Sequence, residues 1–240
     1  MIEISPLDCQ RFGIVIARGH LDTDADWEAA LDFCRERTVR LLIVRTAAAN
    51  LPLVRKITER GGFLADTLCF FEWTGDRTIP EIPPVSDVTV RFARPSDEAS
   101  LADLAGRAFT DYPSHYWNDP GLDRSCCRDL YRDWAGRSAT PARGDTTWIA
   151  ETADGLCGFL LVQGLDGSAN ASLGAVSPAW RRRGVFREIM GRAMQNLRHE
   201  GRTRLTYPTQ LANTAAQKMV TSLGFSPYDA THTLHLWLPG

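Results

Sequence analysis

The segment from Ala171 to Arg198 combines an apolar strand, an arginine-rich turn and an amphipathic helix in direct succession. The strand runs to Val176, the turn ends at Gly184, and apolar residues then recur with helical period from Val185 to Leu197. Because the turn opens onto a helix N-terminus, unpaired backbone N–H groups and the helix dipole favour a bound anion there, and glycine lets the backbone approach it closely. The segment predicts a phosphate site within an α/β fold, with a solvated surface loop as the alternative.

A second informative helix is predicted after the strand at residues 204–209. Asn213 is typical of a helix N-cap, Ala216 and Val220 lie on one apolar face, and Gly224 occupies the usual position after a helix end. The order strand, turn, helix, strand, helix predicts a mixed α/β layout.

These two segments together resemble the conserved blocks of the GNAT superfamily of N-acetyltransferases. Arg181-x-x-Gly184-x-Phe186 is similar to the pyrophosphate loop, and residues 213–225, NTAAQKMVTSLGF, are similar to the second block. The resemblance implies acetyl-CoA as cosubstrate and no metal. It implies coenzyme contacts from the strand end (Gly174, Ala175, Val176), the turn and helix start (Arg181, Arg182, Arg183, Gly184, Val185, Phe186) and the second block (Asn213, Ala216).

Two residues depart from the family pattern. Phe186 is bulky where the family prefers a small residue. Its side chain must therefore point away from the phosphates, or the turn loses some of its contact with them. Val220 stands where the family often has a tyrosine that protonates the departing thiolate, and valine has no proton to donate. Either another group, with Tyr207 as the candidate, or water must protonate the thiolate.

The chain is predicted to contain two units joined by a proline-rich linker. We expect a smaller N-terminal α/β domain over residues 1–80, the linker over 81–87 and a complete GNAT domain over 88–240. Residues 40–63 repeat the order of residues 204–225, namely strand, loop, asparagine, helix, Gly-Phe and strand. The N-terminal unit therefore resembles a partial GNAT repeat, and it lacks an arginine turn, so we expect no coenzyme site in it.

The two-part plan and the segment from His115 to Trp134 are similar to the TDP-fucosamine acetyltransferase group. That resemblance implies a nucleotide-linked amino sugar as the acceptor. The aromatic and polar loop at residues 110–119 suits stacking on such an acceptor, although its rings could simply pack the loop onto the domain. An acceptor of another kind (antibiotic, metabolite or protein) and a non-catalytic acyl-CoA-binding module are the alternatives.

A general base must deprotonate the acceptor ammonium near neutral pH. His115, Asp119, Asp111 and Glu151 are the candidates by position, each with a surface or capping role as the alternative. The histidines of the final strand, at positions 232 and 235, are interpreted as strand residues without a catalytic role.

Composition sets the broad class. The net charge is −2, which argues against nucleic acid or an anionic membrane as a partner. The six cysteines have no C-x-x-C spacing, so structural thiols are favoured over metal ligands. The first ten residues do not resemble a signal peptide, and no apolar run is long enough to span a membrane. We therefore expect a cytoplasmic enzyme with a small-molecule amine substrate, and a homodimer is left open.

Overall fold

The computed structural model of the protein describes residues 2–239. Its strands are β1 Ile2–Ile4, β2 Ile16–His20, β3 Leu41–Ala47, β4 Phe63–Thr74, β5 Thr89–Phe92, β6 Thr146–Thr152, β7 Gly155–Leu165, β8 Ser168–Val176, β9 Arg204–Gln210 and β10 Ser226–Trp237. Its helices are α1 Pro6–Phe12, α2 Asp24–Glu36, α3 Leu51–Glu59, α4 Glu98–Ala108, α5 Arg124–Arg137, α6 Val185–His199 and α7 Thr214–Ser222. The strands form one mixed ten-stranded sheet in the order β1-β2-β3-β10-β4-β9-β8-β7-β6-β5. The predicted mixed α/β class is confirmed.

Alternating side chains of the sheet pack against helices on both faces. In the C-terminal half, Ile149 and Phe159 contact the cluster that contains α4 and α5, whereas their neighbours Trp148 and Leu160 contact the cluster that contains α6. Successive residues of a strand point to opposite faces, so both faces of these strands are apolar. The cluster with α4 and α5 continues onto β2 and β3 and includes partly buried residues of α1. One face of the sheet therefore joins the two halves of the chain.

The predicted internal repeat is present as two equivalent units, β3-α3-β4 and β9-α7-β10. Each helix begins after an asparagine. The side-chain oxygen of this asparagine accepts a hydrogen bond from the backbone N–H three residues later, and its side-chain amide donates to the hydroxyl of the threonine four residues earlier. Asn50 bonds Leu53 N (3.4 Å) and Thr46 Oγ1 (3.1 Å). Asn213 bonds Ala216 N (3.2 Å) and Thr209 Oγ1 (3.1 Å). The two N-cap arrangements thus use the same contacts.

The last strand of each repeat crosses into the other half. β10 inserts between β3 and β4, and β4 pairs with both β10 and β9. β10 therefore lies at the centre of the sheet, and residues 231 and 233–236 are all buried, so both faces of this strand are covered. The boundaries 1–80, 81–87 and 88–240 stay a prediction, since the sheet runs without interruption through both halves.

The proline-rich linker is held against α6. The backbone N–H of Val85 donates to Glu188 Oε2 (2.8 Å), and Ile82 packs so closely on Gly191 that a Cβ there would lie 2.1 Å from Ile82 Cδ1.

The sequence did not predict three short elements near the N-terminus, namely β1, α1 and β2. Each has only three to seven residues, which is too short for a hydrophobic period to be recognised. Within residues 2–239, no helix combines the length and apolarity that crossing a membrane requires.

Candidate active site

A cavity of about 590 Å³ lies on the face of the sheet that joins the two halves. β4, β8 and β9 contribute one part of its wall, and the 109–116 segment with α5 contributes another. Residues of α1, β2 and β3 complete the lining from the N-terminal half. The cavity is thus formed by both halves, and its size is that of an ordinary small-molecule site, which spans about 300–1,000 Å³.

Strands β8 and β9 separate along one wall of this cavity. They pair in parallel only from Ser168 to Asn170, opposite Arg204 to Thr206. A bulge places Ser172 between the paired residues of β7 and β8, and its buried hydroxyl makes no hydrogen bond within residues 2–239. From Ala171 onward β8 has no strand partner on the side of β9, which leaves backbone N–H and C=O groups open along Gly174 to Val176.

The arginine turn meets α6 as predicted, with Gly184 as its N-cap. Gly184 has φ +89° and caps the helix without a side-chain hydrogen bond, so N–H groups of the first turn stay open. Arg182 also has a positive φ, +65°. Arg181 donates to the Ala108 carbonyl (2.9 Å), and the Arg183 guanidinium lies 4.8 Å from the Trp180 ring centre. All three arginines are exposed and flank the helix start.

Phe186, the bulky residue of the turn, fits against β8 because Gly174 on that strand has no side chain. A Cβ on Gly174 would lie 2.7 Å from Phe186 Cε2, so only glycine leaves room for the ring. The ring also approaches Tyr207 with centroids 6.3 Å apart. Phe186 therefore points toward the separated strands and packs with the apolar cluster under α6.

The second predicted block brings Asn213 to the cavity and Val220 to the core. Asn213 lines the cavity while its side chain caps α7 through the Ala216 amide, so the capping role is present. Val220 is fully buried among apolar residues.

Tyr207 lies on β9 one residue beyond the last residue of β9 that pairs with β8, and it lines the cavity. Burial raises the pKa of Tyr207 far above its usual value, so its phenol is protonated at neutral pH.

Three side chains form a hydrogen-bonded relay that ends at the cavity. Asp119 Oδ2 contacts His235 Nδ1 (2.5 Å), and His235 Nε2 contacts His115 Nδ1 (2.9 Å). Asp119 and His235 are fully buried, whereas His115 lines the cavity. Burial raises the pKa of Asp119, but hydrogen bonds from His235, the Gly121 amide and Trp237 outweigh it, and the pKa lies below its usual value.

This relay determines where the histidine protons lie. The Asp119 carboxylate accepts hydrogen bonds only, so it fixes the proton of His235 on Nδ1. When His235 is neutral, its Nε2 is an acceptor and the hydrogen bond to His115 places the proton of that ring on Nδ1. Burial, with contributions from His235, Arg45 and Arg18, lowers the pKa of His115 well below 6.5. His115 is therefore neutral near pH 7, and in this tautomer its Nε2 carries no proton.

The remaining predicted bases lie elsewhere. Asp119 is outside the cavity lining and can act only through His235. Glu151 is ion-paired to Arg91 (2.8 Å), and Asp111 is exposed outside the lining. Sequence reasoning missed His235, because only the register of β10 brings it between the other two relay residues.

Comparison with known proteins agrees with this arrangement. The sequence model of the Acetyltransferase (GNAT) family matches residues 102–225, just over half of the chain. The matched region includes the separated strands, the arginine turn and α7. The chain therefore belongs to the acetyltransferase (GNAT) family, the class of N-acetyltransferases that its sequence resembles.

Among curated proteins, the chain is 24% identical over 146 residues to the spore coat polysaccharide biosynthesis protein SpsD of Bacillus subtilis (strain 168). The match covers 61% of this chain and 49% of that protein, so the chain spans about half the length of this relative. A GCN5-related N-acetyltransferase from Sphaerobacter thermophilus has a TM-score of 0.67 at 14% identity, covering 100% of this chain and 77% of its own. A tandem GNAT protein from the clavulanic acid biosynthesis pathway has a TM-score of 0.60 at 16% identity, covering 94% and 76%. These structures support the fold.

Proposed function

We propose that this protein is a cytoplasmic enzyme that transfers the acetyl group of acetyl-CoA directly to a primary amine of a small molecule. The observation that carries the proposal is the cavity between the two halves, where the open edge of β8 and the relay histidine His115 line the same space. A proton acceptor and unpaired backbone donors beside one cavity are what a direct acyl transfer requires.

The residues present fit acetyl-CoA. The open N–H groups at the start of α6, with Arg181, Arg182 and Arg183 around them, suit a pyrophosphate. The unpaired edge of β8 from Gly174 to Val176 suits an extended chain that hydrogen-bonds to backbone, and the same N–H groups can stabilise an oxyanion. The coenzyme supplies the activated acetyl group and a thiol leaving group. Asn213 lines the cavity and caps α7 through the Ala216 amide, Phe186 packs on Gly174 at this edge, and Val185 is buried in the core below the helix start.

The chain's own residues then account for the proton movements. His115 Nε2 takes the proton of the acceptor ammonium, and the relay through His235 and Asp119 holds the ring in the required tautomer. The amine nitrogen forms a bond to the acetyl carbon as the carbon–sulfur bond breaks, and the second proton of that nitrogen passes to water, which also restores the proton that the acid group gives to the sulfur. Tyr207, a protonated phenol beside the separated strands, gives a proton to the departing sulfur in place of the tyrosine that Val220 replaces.

The acceptor we propose is a nucleotide-linked amino sugar. The similarity to a protein named for spore coat polysaccharide biosynthesis supports a sugar substrate, and the cavity is large enough for one. The aromatic loop supplies Tyr112 and His115 to the lining, whereas Trp117 packs against the apolar cluster.

An acceptor panel tests this function. Purified protein is incubated with acetyl-CoA and amines from separate classes: amino sugars with and without a nucleotide, aminoglycosides, polyamines and peptides with a free N-terminus. Release of free thiol together with an acetylated amino sugar is the expected result. Acetyl-CoA binding without thiol release for any amine would instead indicate a non-catalytic acyl-CoA-binding module.

Replacing Gly184 with valine is expected to raise the Kd for acetyl-CoA about tenfold or more. The positive φ of Gly184 disfavours a β-branched residue, so the turn must change its backbone and withdraw N–H groups from the phosphates. Calorimetric titration measures the effect. Gly201→Val is the matched control, because Gly201 has φ +73° at the other end of the same helix. Equal acetyl-CoA affinities in the two variants would contradict the assignment of the turn.

A further inference from the structure

Asp66, a buried residue of β4, has no role in the chemistry described above. Asp66 is 9% exposed and is one of the residues that line the cavity, yet both of its carboxyl oxygens are buried and neither makes a hydrogen bond within residues 2–239. Thr233, Gln210 and the His115 amide lie near enough to influence it, but none of them reaches it with hydrogen-bond geometry. Buried carboxylates without partners are costly and rare in folded proteins. Such a group calls for a partner that enters the cavity.

A β-bulge aims this side chain. In the pairing of β4 with β10, Thr233 lies opposite Asp66 and Leu234 opposite Leu64, so Ala65 is the extra residue. Asn118 fixes the bulge by donating to the Ala65 carbonyl (2.8 Å). Bulges of this kind re-aim a side chain and are frequent beside active sites. Asn118 belongs to the same loop as His115, so the bulge and the base are tied together.

The sheet register places Asp66 in a row of polar side chains. Arg45 on β3 lies opposite Thr233, which lies opposite Asp66, so the three occupy one face across three adjacent strands. Neighbouring strands are about 4.8 Å apart, which separates the backbones of Arg45 and Asp66 by about 10 Å. The Thr233 hydroxyl between them is buried and also without a hydrogen bond within the described residues.

Positively charged side chains outnumber negatively charged ones around this row. Four arginines and two aspartates line the cavity. Asp8 is engaged by Ser5, Tyr116 and Arg18, and Arg11 is paired with Asp133. Arg45 and Arg137 form no ion pair within residues 2–239. The cavity therefore offers one unpartnered carboxylate and an excess of unpartnered guanidinium groups.

We propose that the row Arg45–Thr233–Asp66 is the acceptor-binding subsite, in which Asp66 binds the acceptor ammonium and Arg45 binds an anionic group of the same molecule. The acceptor class is thus an amine that carries a phosphate or a carboxylate. This inference rests on the proposed acetyl transfer and specifies its acceptor. It also gives the N-terminal half, which has no arginine turn, a part in substrate binding.

Four amines test the subsite. Glucosamine lacks an anionic group, glucosamine 1-phosphate and UDP-glucosamine carry phosphates, and glucosaminic acid carries a carboxylate. In the wild type we expect kcat/KM for at least one anionic amine to exceed that for glucosamine about tenfold or more. Arg45→Gln should reduce this ratio to near one. Arg40→Gln, an exposed arginine just before β3 and outside the lining, should keep it.

Asp66→Asn should lower kcat/KM about 100-fold for every amine that the wild type accepts, with acetyl-CoA affinity intact. It should also raise Tm near pH 7 by about 3 °C or more, because an unpartnered buried carboxylate destabilises the fold. The control Asp154→Asn, exposed in the turn between β6 and β7, should change neither quantity.

The Tm gain of Asp66→Asn has a defined pH dependence. Burial raises the pKa of Asp66 above 3.8, Thr233 and Arg45 oppose this shift, and Tyr112 and Tyr131 are also nearby. Ionisation of Asp66 therefore destabilises the wild type above the raised pKa. The difference in Tm should shrink as the pH falls and the wild-type carboxyl becomes protonated.

An anion preference that survives Arg45→Gln, or an Asp66→Asn variant with wild-type kcat/KM, would overturn the subsite while leaving acetyl transfer standing. If no amine is acetylated, the proposed function fails separately. Calorimetry with glucosamine 1-phosphate then decides the subsite. Binding that both Arg45→Gln and Asp66→Asn abolish supports it, and binding that is absent or unchanged overturns it.

Discussion

Replacing His115 with alanine is expected to lower kcat about 100- to 10,000-fold, the range that a positioned general base contributes. His115 is one of the residues that line the cavity and is the proposed base, so removing the imidazole takes away the proton acceptor assigned to the acceptor ammonium. Initial rates of thiol release at saturating acetyl-CoA measure the effect, and calorimetry should give a Kd for acetyl-CoA close to that of the wild type.

The chain offers a matched control on the same strand as the relay. His232 on β10 hydrogen-bonds Thr67 Oγ1 (2.9 Å) and is outside the cavity lining, so His232→Ala should keep kcat near the wild-type value.

The variant His235→Gln tests whether His235 positions the His115 ring. It should lower kcat by less than His115→Ala, and adding it to His115→Ala should have little further effect, since both act through one base. A His115→Ala variant with more than a third of wild-type kcat would exclude it as the base.

Replacing Tyr207 with phenylalanine is expected to lower kcat about 100-fold while acetyl-CoA affinity is unchanged. The substitution removes only the hydroxyl of a phenol that lines the cavity beside the point where β8 and β9 separate. Burial raises the pKa of Tyr207, so the phenol is protonated at neutral pH when the sulfur departs. Single-turnover rates of acetyl transfer measure the chemical step directly.

The alternative to Tyr207 is protonation by water, which the thiol of the coenzyme could tolerate since thiol pKa values lie near about 8.5. Tyr228→Phe is the control: Tyr228 is 43% exposed and outside the lining, so its variant should match the wild type. A thioester donor with a strongly acidic leaving thiol should react equally fast with the wild type and Tyr207→Phe. A less than threefold effect of Tyr207→Phe on acetyl-CoA turnover would favour water.

The sequence by itself determined the elements that carry the proposed coenzyme path. The predicted order strand, turn, helix, strand and helix over residues 171–224 agrees with the structure, as do the helix start at Gly184 and the N-cap at Asn213. These features are local, since a cap or a turn depends on residues within one helical turn of it. The internal repeat was also recognisable, because its asparagine and Gly-Phe positions recur at nearly the same spacing.

Only the tertiary structure decided which half supplies which strand and which side chains meet. The exchange of β4 and β10 joins residues far apart in sequence, such as His115 with His235 and Asp66 with Thr233. Strand pairing and register depend on the packing of the whole sheet, and a shift of one residue would turn every side chain to the other face. For this reason His235 read as an ordinary strand residue and Asp66 as an ordinary carboxylate, although the fold brings both beside the same cavity.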